Sequence, residues 1–155
     1  MPSFGSARHP RSIAALVAPL LLGGCIGIFA NDFEIDYEAE LISSETVTDD
    51  QGTRVVCQMR LTATAAGEDG EEGVIGEADF AYRTLSDDSY LGGERRSAAF
   101  MAARFGSDII VSGSSASTNT FSRSWPVPFE WQMALNYRRP GGTRGTEEIN
   151  LRCEG

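Results

Sequence analysis

Two stretches of strict alternation constrain the fold more than anything else in this chain. In "FEIDYEAEL", residues 33–41, Phe33, Ile35, Tyr37, Ala39 and Leu41 alternate with Glu34, Asp36, Glu38 and Glu40. In "FEWQMALNY", residues 129–137, Phe129, Trp131, Met133, Leu135 and Tyr137 alternate with Glu130, Gln132, Ala134 and Asn136. Successive side chains of a strand point to opposite faces, so each stretch reads as a strand with one buried and one solvated face. A helix would scatter the same apolar residues around its circumference and bury none of them well.

The remaining segments follow the same logic. In "RVVCQMRLTAT", residues 54–64, Val55, Cys57, Met59 and Leu61 face one way. Asp49-Asp50-Gln51-Gly52 before it is a turn signal, so 33–47 and 54–65 are expected to form an antiparallel hairpin. In that hairpin Arg54 and Arg60 are expected to meet the four carboxylates of the first strand. "GEDGEEG", 67–73, reads as a solvated loop; it lacks the ligand order of a calcium-binding hand. A strand is expected over 74–84, a loop over 85–93 and a short helix over 94–105, where alanines cluster and Gly106 stops it; a strand is the alternative there. "DIIVSG", 108–113, is expected as a strand, and the polar 114–124 as a mobile loop or fraying hairpin. "EEINLRC", 147–153, closes the chain with Ile149, Leu151 and Cys153 on one face. The fold class that results is mainly β: an antiparallel, sandwich-like domain of six or seven strands over 33–155 with one short helix, α+β being the alternative.

The three cysteines, Cys25, Cys57 and Cys153, are an odd number that needs explaining. Cys57 and Cys153 share parity with the apolar face of their strands, so both are expected to point inward. A disulfide between them is the expectation, and two buried free thiols the alternative. A loop of that size is worth about 4 to 5 kcal/mol on a chain-entropy argument.

Cys25 has a different context. Arg8 and Arg11 make a short positive start, Ile13 to Leu22 is apolar except for Pro19, and small residues precede the cysteine. The order Leu22-Gly23-Gly24-Cys25 resembles a bacterial lipobox. The resemblance covers the first 25 residues. It implies removal of residues 1–24, attachment of lipid to Cys25, and a short linker over 25–32. The alternative is an uncleaved anchor over Ile13 to Ala30, or a plain signal peptide. By analogy with enteric bacteria, Ile26 rather than Asp after the cysteine implies an outer-membrane lipoprotein facing the periplasm. The membrane, through that lipid, and another envelope protein are the expected partners.

Composition excludes much chemistry. The formal net charge is -9, and removal of Arg8 and Arg11 would make it more acidic still, so nucleic acid is not an expected partner. There is no lysine, and His9 is the sole histidine, so residues 25–155 hold neither. Histidine-based triads, lysine bases and ordinary zinc sites are therefore unavailable to that part. Carboxylate chemistry of the glycosidase type remains, with nothing in the spacing to favour it. The expected function is a non-catalytic, membrane-anchored binding or assembly-support module with no cofactor, no metal and no catalytic residue. A small ligand or cation carrier is the alternative. "AARFGSDIIVSGSS", 102–115, is similar to a helix-strand step in the curli secretion channel subunit and in outer-membrane activators of penicillin-binding proteins. That similarity implies a second alternative, a helper of an envelope secretion or peptidoglycan-synthesis machine.

Overall fold

The computed structural model describes residues 33–155. In chain order they form β1 (Glu34–Asp49), β2 (Gly52–Ala66), β3 (Glu72–Thr84), β4 (Tyr90–Arg96), α1 (Ala98–Phe105), β5 (Ile109–Val111), β6 (Ser115–Ser117), β7 (Phe121–Trp125), β8 (Phe129–Arg138) and β9 (Arg144–Cys153). Two antiparallel sheets result. In the first, β1 lies beside β2, whose other edge carries β6 and β7 end to end. In the second, β3 is central, with β4 and β5 on one edge and β8 then β9 on the other. The mainly-β, sandwich-like expectation with one short helix holds, with nine strands rather than six or seven.

The core lies between the sheets, where the alternation sends its apolar halves. Phe33, Ile35, Tyr37, Val55, Cys57, Met59 and Leu61 from the first sheet are buried against Phe80, Tyr82, Phe129, Trp131, Met133 and Leu135 from the second. Leu41 shares the parity of Phe33 yet is 44% exposed, beside the bulge at Ile42 that breaks the register of β1 and β2. The helix adds Met101 and Phe105 to the core. Ser97 caps it by accepting the Phe100 amide at 3.1 Å, and Gly106 ends it in the left-handed conformation.

Three expectations need correction. Residues 90–96 form β4, so the loop expected over 85–93 ends at Ser89 and the helix begins at Ala98 rather than at 94. Glu94 and Arg96 point toward the other sheet while Arg95 faces Asp79 across β3, and these contacts override the local helix preference. The polar stretch 114–124 supplies β6 and β7 rather than a mobile loop. Its hydroxyls pair with those of β2, Thr62 with Ser117 and Thr64 with Ser115, each at 2.8 Å. Thr118 is buried, and its hydroxyl accepts the Leu61 amide at 3.1 Å. Hydroxyl pairing and one buried aromatic, Phe121, hold a segment whose composition alone reads as loop.

Candidate functional site

Of the three cysteines, Cys25 lies outside the described residues, as does the Ile13 to Ala30 stretch. Cys57 and Cys153 are joined, with Cα atoms 5.8 Å apart and both side chains fully buried. Parity brings this about: Cys57 faces inward from β2 and Cys153 from the end of β9, so the bridge ties one sheet to the other.

The acidic stripe of β1 is only partly matched by arginine. Arg60 lies 3.6 Å from Glu40, but Arg54 instead holds Asp49 at 2.7 Å beside the hairpin turn. Glu34, Asp36 and Glu38 face Ala66, Thr64 and Thr62 across the pair. Among the described residues, no group of three or more His, Cys, Asp or Glu is gathered closely enough to hold a metal ion.

Both open sides of the sandwich are closed by charged groups that no sequence pattern marks out. On the β4/β7 side, Glu94 gathers three partners. Tyr82 donates to its Oε1 at 3.0 Å, Arg123 donates to the same oxygen, and Arg96 donates to Oε2 at 2.7 Å. Burial alone would raise the Glu94 carboxyl; the bonds from Arg123 and Tyr82, with the charges of Arg123 and Arg96, outweigh it and hold the carboxyl below its ordinary value. This cluster joins β3 and β4 to β7, which are residues far apart in sequence, so its role is to lock the sheets together.

On the β1/β9 side, the Glu147 carboxylate accepts the Tyr37 backbone amide at 2.5 Å. Partial burial pushes the Glu147 carboxyl up; the Tyr37 amide opposes this, and the nearby charges of Asp36 and Glu34 add to it. A carboxyl raised in the folded state contributes stability at low pH that is lost as pH rises through the raised value. Glu147→Gln keeps an acceptor for Tyr37 and removes the charge. At pH 7 the variant is expected to melt about 1 to 2 °C higher than the parent, the scale of a solvent-screened surface term. The gain should vanish as pH falls toward the ordinary carboxyl range. A thermal melt series from pH 4 to pH 8 reads this; a variant less stable than the parent at pH 7 would show that the carboxylate is a net anchor.

The outer face of the second sheet carries two shallow depressions. Ala81 on β3 and Ala134 on β8 leave a depression of about 330 Å³ between longer neighbours. Asp79, Gln132, Glu148 and Asn150 stand around it, placed by the register of β3, β8 and β9. Arg95 holds Asp79 at 2.8 Å and Gln132 donates to Glu130 at 2.8 Å, so the polar rim is pre-ordered. A second depression of about 360 Å³ lies further along the same sheet, around Val74, Gly76, Asn136, Arg138 and Arg144. Gly76 is required at the bulge between β3 and β8, because a Cβ there would sit 2.6 Å from the Asn136 carbonyl oxygen.

No family model matches the sequence, and no curated protein matches it either. Solved structures do share the fold. The structural-genomics target SoR45 superposes with a TM-score of 0.58 at 10% identity, over 81% of this chain and 88% of that one. A Bordetella pertussis protein provisionally named ApaA superposes with a TM-score of 0.56 at 11% identity, over 79% of this chain and 93% of that one. At such identities the likeness extends to the fold alone.

Proposed function

We propose that this protein is a lipid-anchored bacterial envelope protein whose sandwich serves as a non-catalytic binding module for another envelope component. The observation that carries the reading is the buried Cys57–Cys153 bridge. Disulfides form and persist in oxidising compartments and are rare in the cytosol, so the bridge supports export. Leu22-Gly23-Gly24-Cys25 then supplies the anchor, and residues 26–32 the tether. At full extension that tether reaches about 25 Å, so the domain works close to the bilayer surface. The polar, pre-ordered outer face of the second sheet is the surface it offers a partner. By the Ile26 analogy the membrane is the outer one, with the domain in the periplasm.

The test is the intact mass of the protein purified from its own membranes, before and after reductant. The expected species begins at Cys25, carries acyl chains and gains two hydrogens on reduction and unfolding. Cys25→Ser is expected to leave an unprocessed or soluble chain. A mass beginning at Met1, or normal membrane partitioning of the variant, would overturn the lipid anchor.

A further inference from the structure

Arg138 and Arg144 are cross-strand partners on the outer face of the second sheet, at the mouth of the 360 Å³ depression. Like charges set directly opposite each other on a sheet are destabilising. Every other arginine among the described residues faces a carboxylate or donates to a backbone carbonyl. Within that set, the guanidinium groups of Arg138 and Arg144 have neither. Glu77 also lines the depression, but its charge acts on Arg95, which is already paired with Asp79. Among the described residues, two adjacent cations are thus left without a counter-charge.

Their neighbours in the same row are apolar. Across the sheet the register runs Ile109, Val74, Arg138, Arg144. Val74 is 39% and Ile109 43% exposed, among the largest apolar exposures of the domain. Two guanidinium forks exceed what one carboxylate satisfies, whereas a tetrahedral phosphate presents oxygens to both at once. We propose that Arg138 and Arg144 bind a phosphate group together, with Val74 and Ile109 receiving the apolar stem that carries it.

A phospholipid headgroup and a soluble phosphate ester share this chemistry. The lipid is the favoured source, because the site lies beside the point where the tether enters. The Phe33 ring packs against Gly73, its backbone carbonyl accepts from Arg139 at 3.0 Å, and the Arg138 carbonyl flanks the same glycine. That preference for the lipid rests on the lipid-anchor reading; the two-arginine site does not.

The experiment is phosphorus NMR line broadening with the purified protein and two probes, inorganic phosphate and a short-chain phosphatidylglycerol kept below its micelle concentration. The lipid probe is expected to bind more tightly than inorganic phosphate, with both weakened by salt. Arg138→Gln and Arg144→Gln are each expected to weaken binding about tenfold. The double variant is also expected to melt higher than the parent when no probe is present, since the opposed charges are gone. Broadening by inorganic phosphate alone would keep the site and overturn the lipid as its source. No broadening by either probe, or equal broadening with the double variant, would overturn the site. A chain that fails the mass test yet binds both probes loses the membrane and keeps the two arginines.

Discussion

Replacing Cys57 and Cys153 together with alanine is expected to lower the free energy of unfolding by about 3 to 5 kcal/mol. The bridge spans 96 residues, most of the described domain, so it removes a large loop entropy from the unfolded chain. It also ties β2 of one sheet to the last residue of β9 in the other. Without it the C-terminal strand is held by its ladder with β8, by Ile149 and Leu151 against the core, and by two bonds to β1, Glu147 with Tyr37 and the Gly155 amide with Ser44. Urea unfolding of parent and double variant measures the difference directly, and the expected fall in melting temperature is on the order of 10 °C. Both sulfurs are fully buried, so reductant alone should act slowly on the folded protein. A loss below about 1 kcal/mol would mean that the unfolded chain is already as compact as the bridged one.

Trp131→Ala is expected to cost a comparable 3 to 5 kcal/mol or so, on the order seen for buried aromatics. The side chain is 1% exposed near the start of β8. It meets Phe80 edge-on at 5.9 Å and Tyr82 at 5.4 Å, so its removal opens a cavity inside an aromatic cluster. Its indole N–H has no protein hydrogen-bond partner among the described residues, so the loss is chiefly one of packing. Trp131→Phe is therefore expected to cost less than half as much, because most of the ring contact survives and no bond is broken. Chemical denaturation of the two variants separates these cases. Equal losses would mean that the indole N–H carries a bond the packing account leaves out.

Alternation makes the core residues of β1, β2, β3, β8 and β9 legible in the amino-acid order alone. The same parity points Cys57 and Cys153 inward, and the folded chain joins them. Legibility ends where local preference and tertiary contact disagree. The alanines after Arg96 suggest a helix from residue 94, but Glu94 is drawn into β4 by pairing with β3, by Tyr82 on that strand and by Arg123 from the other sheet. The serines and threonines of 114–124 suggest a loop, but the free edge of β2 pairs with them. Neither partner is near in sequence, so no local window contains the reason.

The candidate site is less legible than the fold. "RRPGGTRG" reads as a turn and so brings Arg138 near Arg144, but nothing in it says that Val74 and Ile109 will stand beside them. The periodicity of side chains along one strand is a local property, set by backbone geometry, and the amino-acid order carries it up to the bulge at Ile42: which residues face inward, where the bridge can form, and which chemistries lack their residues. The identity of a strand's neighbours is a non-local property, set by how two sheets pack over a shared core. The β8–β9 turn sets Arg138 opposite Arg144, but packing alone decided that Glu94 would lock one open side, that Glu147 would reach Tyr37 across the other, and that Val74 and Ile109 would line up beside the two arginines.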